Sequence, residues 1–438
     1  MKNLILILGL CISFSLFAQE EGVYTFTLEE AIDFALKNNS TVKNAELDVL
    51  KSQKKIWETT AMGLPHADAT ISYQYSLNVP ALFEVFSSFG TDSTSAPMNS
   101  NDLKSSIPFD LTVSQLVFSG PYIVGLQASK VYSELADYSM QKSKINVKKN
   151  VINTYFLALV THENKIIIDS LCVSTKKSLS DIQKMFDNGF VDEIDLDQMK
   201  LTYQTLKNTQ MTITRQSDLI LDLLKYQIGL EFEKKLVLKD SLNQILDIKS
   251  VEKELLTDFN IDNNMDYKLL LTQEKLMKLD WRRHKTEYLP SISAFYTHHE
   301  QFNDKSIDFQ APDMIGLSAT IPIFSSGQRM AVVSQSKLEY EKSKNTRMMQ
   351  ETGLKIQFKQ AKVSLLNAYE NYNTEKDNFA LSKKIYSNTL FKYKQGMASS
   401  FDLTQVQNQY LNVQSSYYNA ITELISKQLD IKEIINNL

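Results

Sequence analysis

The feature that constrains the fold most is an internal duplication. Three patterns occur twice, in the same order: an Asn-Asn pair followed by Leu-Pro, a Leu followed by Phe-Ser, and an aromatic residue followed by Gly and Asp-Leu. The matching segments are Asn38 to Pro65 with Asn263 to Pro290, Leu111 to Ser119 with Leu317 to Ser325, and Phe186 to Leu196 with Tyr393 to Leu403. A conserved order of this kind indicates two copies of one structural plan. Each copy is predicted to contain a helix, two strands, a long helix, a Gly turn and a further helix.

Two long helices are predicted, from Pro121 to about Asn188 and from Gln328 to about Gln395. Apolar residues recur in them every seven positions: Ile145, Ile152, Leu159, Ile166 and Val173, then Tyr372, Phe379, Tyr386 and Tyr393. The helices that follow, starting near Leu196 and Leu403, show 3,4 spacing. Sustained heptads indicate left-handed coiled-coil packing. At 1.5 Å per residue each long helix could reach about 100 Å.

The first copy begins with a helix and a strand. Thr27 to Glu30 has the pattern of a capping box, which predicts a helix from there to about Ala61. The segment from Ala69 to Val79 then alternates with period two, so one of its faces is apolar and the other polar. The residues predicted to face lipid are Ile71, Tyr73, Tyr75 and Leu77. An ordinary sandwich sheet over a soluble core would show the same alternation.

The other predicted strands are Leu111 to Phe118, Leu289 to Phe302 and Met314 to Phe324, and the segment from Asn78 to Ser105 reads as an exposed loop. Each strand has roughly the 9 to 11 residues that a tilted membrane strand needs. Four strands cannot close a barrel, and an open edge in lipid leaves backbone groups unpaired. Three copies would supply twelve strands and leave room for a passage.

The amino terminus predicts export. Residues 1–18 have an early Lys2, an apolar run and a small residue, Ala18, which is the pattern of a cleaved signal peptide. Cys11 follows Leu10 where a lipoprotein signal needs a small residue, so lipidation is the weaker alternative. After Ala18 no apolar window is long enough for a membrane-spanning helix, so any insertion must use strands.

Composition and motifs argue against several classes of function. The net charge is −4, from 47 basic and 51 acidic residues, and no basic stripe marks a nucleic-acid surface. Nucleophile-elbow, phosphate-loop and zinc signatures do not occur, so neither a catalytic residue nor a cofactor is predicted. His298 and His299 invite a metal interpretation, but adjacent strand residues point to opposite faces, and no metal site is predicted.

The ordered set of motifs resembles the TolC family of outer-membrane efflux proteins. The residues that carry the resemblance are the signal peptide, Thr27 to Ile32, Lys37 to Asn39, Leu64-Pro65, Ile321 to Gly327, and Tyr393-x-x-Gly396 with Asp402-Leu403. The resemblance implies a mostly α fold with membrane β-structure: a homotrimer with a 12-stranded β-barrel in the outer membrane, continued by a long coiled-coil α-barrel across the periplasm. It also implies a passive exit duct for small molecules or polypeptides.

The domain organisation follows from the same resemblance. The expected segments are 1–18 as signal peptide, 19–229 as first repeat, 230–261 as equatorial linker and 262–438 as second repeat. The implied partners are a periplasmic adaptor protein and an inner-membrane pump of the resistance-nodulation-division or ABC type, or a type I secretion transporter, together with outer-membrane lipid.

By resemblance, the pore is closed at the periplasmic tip by residues next to the Gly turns. Gly189 and Gly396 would reverse the helices, and the gate candidates are Asp195, Tyr393, Asp402 and Gln405. An arginine is expected where Ala398 stands and an acid where Gln405 stands, so the closing salt-bridge network of the family is absent and little positive charge is expected nearby. Helix capping is an equally good explanation of both aspartates, and it is compatible with a role in the pore.

Two other classes of function remain open. A coiled-coil envelope scaffold or adhesin would explain the heptads without a pore, although the paired strands count against it. A secreted enzyme with a helical shell would need a cluster of acid, base or metal-binding residues.

Overall fold

The computed structural model describes residues 23–78, 105–302 and 311–438, with only the backbone at residue 243. The predicted signal peptide with Cys11, and nearly all of the predicted loop from Asn78 to Ser105, lie outside these described residues.

The chain divides into two compact units, each assembled from separate segments. The first unit comprises Met1–Asn44, Lys142–Ile261 and Lys355–Leu438, and the second comprises Ala45–Gln141 and Asp262–Leu354. Each predicted repeat therefore contributes to both units.

The order of helices follows the duplicated plan. The first copy contains α1 (Leu28–Asn38), α2 (Ser40–Ala61), α3 (Gly120–Asp187) and α4 (Glu193–Ile228). The linker contains α5 (Leu242–Ile245), α6 (Ile248–Leu255) and a 3₁₀ turn (Ile261–Asn263). The second copy contains α7 (Met265–Thr286), α8 (Gln328–Lys394) and α9 (Ser400–Ile434). The two long helices of 68 and 67 residues that the heptads predict are confirmed.

The first helix differs from its prediction, because it is two helices rather than one. The capping box is confirmed, with the amide of Thr27 donating to Glu30 and the amide of Glu30 donating to the Thr27 hydroxyl. The break falls at Asn39, whose backbone is extended and whose side-chain amide donates to Gln227 O at 2.6 Å. Gly229, in the left-handed conformation, packs so closely that a Cβ would lie 2.7 Å from Asn38 O. This contact with a distant glycine explains why the local pattern missed the break.

Strands pair in three groups. The strands are β1 (Val23–Phe26), β2 (His66–Ile71), β3 (Gln74–Tyr75), β4 (Ser105–Ser106), β5 (Pro108–Phe118), β6 (Lys235–Leu238), β7 (Ser291–Gln301) and β8 (Asp313–Thr320). The main sheet is antiparallel, in the order β2-β5-β7-β8, so the two copies meet at β5 and β7. β1 pairs with β6 in parallel, and β3 pairs with β4.

The predicted strand from Ala69 to Val79 is wrong in its bounds. β2 starts earlier, at His66, and ends at Ile71. Tyr73 lies between strands, Tyr75 belongs to the short β3, and Leu77 lies in a bend. The predicted fourth strand also ends earlier, because β8 stops at Thr320 and the segment up to Phe324 has no regular structure. The alternation of apolar and polar residues continues past the point where backbone pairing stops. The pattern therefore overestimated the length of both strands.

The first unit has a core where α1, the start of α2, α3, α4, α8 and α9 contribute buried apolar residues. At its centre are residues with almost no exposed surface: Val42, Val151, Tyr155, Leu224, Ile228, Leu365, Ile421, Leu424 and Ile431. The Tyr155 hydroxyl donates to Asp240, which also accepts from the amide of Leu28 and so fixes the start of α1 against the linker.

Aromatic rings interleave between α8 and α9. Phe379 stacks on Tyr417 with ring centroids 4.9 Å apart and on Tyr410 at 5.7 Å. Tyr386 stacks on the other side of Tyr410, and Tyr372 on the other side of Tyr417. The heptad predicted for the second long helix therefore packs as expected, with each ring contributing area and an offset-stacking preference.

The heptad predicted for the first long helix is wrong in its second half. Ile145 and Leu159 are buried, but Ile166 is 50% exposed and Val173 is 72% exposed within the chain. The residues buried instead are Ile168, Leu171, Cys172, Thr175, Ser178 and Ile182. One heptad register, formed by Val147, Thr154, Thr161, Ile168, Thr175 and Ile182, stays buried along this part of α3. The predicted register therefore lies two residues away from the one that packs throughout.

In the second unit, α7 packs against the start of α8. Trp281 stacks on Tyr340 at 5.8 Å, and Arg347 donates to Glu274 at 2.5 Å. A small cluster of Val124, Val131 and Leu279 joins α3 to α7. Among the described residues, no helix combines the length and the apolar content that crossing a membrane requires.

Candidate pore and gate residues

One face of the main sheet is apolar and open. Residues opposite each other in an antiparallel register point to the same side, and Ile71 pairs with Phe109 on this side. The same side carries Ala67, Ala69, Leu111, Val113, Tyr296, Ile315 and Leu317, and also the polar residues Gln115, His298 and Glu300. Ile71 is 65% exposed and Ile315 is 85% exposed. The other three predicted lipid-facing residues, Tyr73, Tyr75 and Leu77, are also exposed, although only Tyr75 lies in a strand.

A polar cluster bounds this apolar face at one end. The Tyr296 hydroxyl donates to Asp313 Oδ1 at 2.6 Å, and His298 Nδ1 lies 2.9 Å from the same oxygen. Tyrosine with a polar partner at the border of an apolar band is typical of membrane interfaces.

The opposite face of the sheet is mainly polar. Its side chains include His66, Asp68, Thr70, Asp110, Thr112, Ser114, Thr297 and His299, together with the apolar Leu116, Phe295 and Met314. The buried His299 pairs with Asp110 at 2.6 Å. An alternation of one apolar and one polar face is the pattern of a sheet that separates lipid from water.

The first Gly turn reverses the chain between α3 and α4. Gly189 has φ of 76°, its amide donates to Phe186 O, and the amide of Phe190 donates to Met185 O at 2.8 Å. This is the hydrogen-bond arrangement of a Schellman C-cap, which favours glycine because other residues fit poorly at positive φ.

The second Gly turn has the same construction. Gly396 has φ of 72°, its amide donates to Tyr393 O, and the amide of Met397 donates to Lys392 O at 2.9 Å. The duplication therefore extends to the hydrogen bonds of both turns.

Asp402 belongs to the capping box that starts α9. The Ser399 amide donates to Asp402 at 3.0 Å, and the Asp402 amide donates to the Ser399 hydroxyl at 3.1 Å. The hydrogen bond from the Ser399 side chain, then the one from its backbone, lowers the pKa of Asp402. The side chain is exposed, so its charge is available to solvent as well as to the cap.

Asp195 joins the two copies. It lies in the first turn of α4 and accepts a hydrogen bond from the Ser400 hydroxyl at the start of α9. Sequence reasoning identified Asp195 but missed Ser400, because a local pattern does not show which residue of the other copy lies opposite.

A pocket next to this contact holds several predicted gate residues. It is lined by Asp195, Tyr393, Gly396, Ala398, Ser399 and Ser400. Burial, and then the nearby charges of Asp181 and Asp195, raise the pKa of Tyr393. Among the described lining residues, neither Asp402 nor Gln405 occurs, and both are exposed.

Two positively charged residues also belong to this pocket. Lys177 and Lys394 line it, close to Asp195. Lys394 lies two residues before Gly396, so its proximity could have been read from the sequence. Lys177 comes from α3, and only the packing of that helix beside the turns brings it there.

Metal-ligand geometry is not found in the part of the chain that the structure describes, where no group of three or more His, Cys, Asp or Glu residues could hold an ion. His298 and His299 contact different carboxylates, Asp313 and Asp110.

Comparison with known proteins finds a family model that matches about a third of the chain. Residues 284–437 match the family model described as "Outer membrane efflux protein", and no curated protein sequence matches the chain.

Three solved structures share the fold. The outer membrane protein VceC of Vibrio cholerae is 13% identical, with a TM-score of 0.71 over 93% of this chain and 95% of that one. The CmeC outer membrane channel of Campylobacter jejuni is 19% identical, with a TM-score of 0.71 over 94% and 85%. The MtrE outer membrane channel of Neisseria gonorrhoeae is 14% identical, with a TM-score of 0.71 over 93% and 88%.

The fold is therefore that of outer-membrane channel proteins, and it covers nearly the whole chain. The carboxy-terminal third carries the sequence pattern of outer membrane efflux proteins. The resemblance inferred from the duplicated motifs and the predicted mostly helical fold class are both confirmed.

Proposed function

We propose that this chain assembles as a homotrimer into a passive exit channel of the cell outer membrane, working with a periplasmic adaptor and an inner-membrane pump of the resistance-nodulation-division or ABC type. The observation that carries the proposal is the four-stranded sheet with one apolar face, in which β5 and β8 are followed by helices of 68 and 67 residues. The similarity to solved outer-membrane channels supports it.

The argument for three copies starts from the sheet edges. Among the residues that the structure describes, β2 and β8 each pair on one side only. An unpaired edge in hydrocarbon leaves N–H and C=O groups without partners, at several kcal/mol for each group. Joining β8 of one copy to β2 of the next pairs both edges, and three copies close twelve strands around a passage. The polar face, with Asp68, Asp110 and His299, would then line the passage.

The exposed ring of Asp402 side chains is the proposed selectivity element at the periplasmic tip, with Asp195 as a weaker contributor. Three symmetric carboxylates around one axis concentrate a negative potential and attract cations. Ser399 keeps Asp402 ionised by lowering its pKa. Gln405, also exposed, would add a neutral polar ring one turn further along α9.

Liposome swelling tests the proposal. Purified protein reconstituted in phospholipid vesicles should let small neutral solutes enter, and the rate should fall with solute size. The inside of a passage, rather than the lipid, sets such a size limit. Protein that purifies without detergent as a soluble elongated particle, and that leaves vesicles impermeable, would favour the scaffold or adhesin and contradict the channel.

A further inference from the structure

A groove runs between α2 and α3 in the second unit. The two helices are antiparallel neighbours, since Ser52 Oγ donates to Ser133 Oγ at 3.0 Å and the Tyr122 hydroxyl donates to Thr60 O at 3.1 Å. The groove is lined by Lys51, Lys54, Lys55, Glu58 and Thr59 from α2, by Gly125, Ala128, Ser129 and Tyr132 from α3, and by Leu276 from α7.

The floor of the groove is apolar and consists of small residues. Gly125, Ala128 and Ser129 occupy one face of α3, and the Ser129 hydroxyl is already satisfied by Leu126 O at 3.0 Å. A Cβ on Gly125 would meet only Thr59, at 3.9 Å. The space above the glycine is therefore open to an added carbon atom.

The rim of the groove is positively charged. Lys55 pairs with Glu58 at 2.6 Å. Lys51 and Lys54 have no ion-pair partner among the described residues, and Glu58 is the one acid in the described lining. Two unpaired ammonium groups beside an apolar floor suit a molecule with an anionic head and an apolar tail.

The surroundings of the groove place it at a lipid–water boundary. Trp57, next to Lys54 on the surface of α2, is 63% exposed, and Leu50 is exposed on the same helix. Tryptophan and lysine together are typical of membrane interfaces. α3 begins directly after β5, so at 1.5 Å per residue Gly125 and Tyr132 lie about 8 and 18 Å along the helix from its first residue, Gly120.

We propose that this groove binds an anionic phospholipid of the leaflet next to the helices, with its phosphate on Lys51 and Lys54 and one acyl chain over Gly125 and Ala128. The proposal rests on the proposed function, because it takes the main sheet to be the membrane-inserted part. Charge complementarity selects this occupant over a second copy of the chain, whose apolar surface would bury the two lysines without a counter-charge.

Native mass spectrometry in non-ionic detergent tests the proposal with added phosphatidylglycerol, and with phosphatidylcholine for comparison. Wild-type protein should retain phosphatidylglycerol preferentially, at up to one molecule per protomer. Lys51→Gln with Lys54→Gln should lower retention at least about fivefold, since one basic residue at an anionic surface contributes about that factor. Gly125→Leu should lower retention by filling the floor.

Two variants serve as controls. Gly353→Leu places the same side chain on a helical glycine with open space around it, where a Cβ meets only Gln350 at 4.0 Å. Lys383→Gln with Lys384→Gln removes two exposed charges from α8. Both controls should retain phosphatidylglycerol like the wild type.

Equal retention by wild type, K51Q/K54Q and G125L would overturn the inference. The inference would also be overturned if the control variants lost phosphatidylglycerol to the same extent. Displacement of the lipid by millimolar inorganic phosphate alone would overturn it as well. A change of oligomeric state in K51Q/K54Q, without a change in lipid retention, would assign the groove to a second copy and also overturn it. Vesicle permeability separates the two proposals: permeable wild-type vesicles with no phosphatidylglycerol preference would refute only the lipid site.

Discussion

Asp195 and Ser400 occupy the first turns of two corresponding helices, one in each copy of the repeat, and a hydrogen bond joins them. The Ser400 hydroxyl is buried, and Asp195 is partly buried beside the ring of Tyr393. Ala398 stands where the resemblance predicts an arginine. The contact between the copies at the tip is therefore a hydrogen bond from a hydroxyl to a carboxylate rather than an arginine ion pair.

This bond should hold the tip closed. A hydrogen bond to a charged group contributes about 1.5 to 3 kcal/mol, so Ser400→Ala should raise the open fraction of the channel by about tenfold or more. Asp195→Asn should raise it less, because an amide oxygen still accepts a hydrogen bond. The measurement is the open probability in bilayer recordings. The double variant S400A/D195N decides whether the two residues act together. If it raises the open probability by the product of the two single-variant factors, the residues act independently and their hydrogen bond does not hold the tip closed.

Gly396→Val should destabilise the second Gly turn by more than about 1 kcal/mol, because a β-branched residue fits poorly at positive φ. Steric clash with neighbouring atoms is not the cause of this destabilisation, since nothing lies within 4 Å of an added Cβ. Gly396→Asn is the matched variant, as asparagine tolerates the left-handed conformation. Thermal unfolding should rank wild type, then G396N, then G396V. Identical melting of G396V and wild type would show that the turn is not strained by a side chain.

A half-buried charge cluster should make the first unit sensitive to acid. Glu433 lies 2.9 Å from Lys142 and 2.7 Å from Lys149, which also contacts Asp430. Burial alone would raise the pKa of Glu433, but the hydrogen bonds from Lys149 and Lys142 outweigh it and lower the pKa. A lowered folded-state pKa means that the stabilisation is present above the unfolded value of about 4.3 and is lost as pH falls through the folded value.

Glu433→Gln should therefore destabilise the protein by about 1 to 2 kcal/mol at pH 7, after allowance for partial exposure. The difference from wild type should shrink as pH falls below the unfolded value of about 4.3, so the deficit at pH 3 should be smaller than at pH 7. Asp197→Asn, which removes an exposed ion pair with Lys200, should change stability by less than about 0.5 kcal/mol at either pH. A Glu433→Gln deficit that is equally large at pH 3 and pH 7 would contradict the assignment to charge.

Ile71→Arg should block assembly in the membrane, because an arginine facing lipid near the midplane costs about 2 to 4 kcal/mol. Tyr73→Arg should have a similar but smaller effect, since Tyr73 lies outside the strands. Thr70→Arg is the control, because the register places Thr70 on the polar face opposite Asp110. The yield of trimers in outer membranes measures the effect. Normal trimers of I71R, or equal defects in I71R and T70R, would show that the apolar face does not contact lipid.

Periodicity in the sequence was sufficient for the long helices and for the existence of four main strands. It failed where a distant contact decides the local structure. The break at Asn39 depends on Gly229, and β1 is a strand only because β6 pairs with it. A four-residue strand whose partner is in the linker leaves no pattern of its own.

The residues of the candidate gate could likewise be predicted from the sequence only in part. The two glycines at positive φ follow from the duplicated pattern, and Asp195 and Asp402 follow from their place after each turn. The contact of Asp402 is local and is the helix capping that the sequence allows, whereas the partner of Asp195 could not be predicted, because Asp195 bonds across to the other copy. Equivalent positions in the two copies thus have different contacts, which the repeat alone would not suggest.

Single-channel recording across a salt gradient tests the central claim most directly. Wild-type protein should form a conducting, cation-selective pore that multivalent cations block from the periplasmic side, because three Asp402 carboxylates concentrate negative potential at the mouth. Asp402→Asn should shift the reversal potential toward zero and weaken the block, with trimer yield unchanged and with a larger effect on selectivity than Asp195→Asn. A wild-type protein that never conducts would contradict the channel itself. If D402N conducts with the same reversal potential and the same cation block as the wild type, then Asp402 only caps α9 and does not determine selectivity.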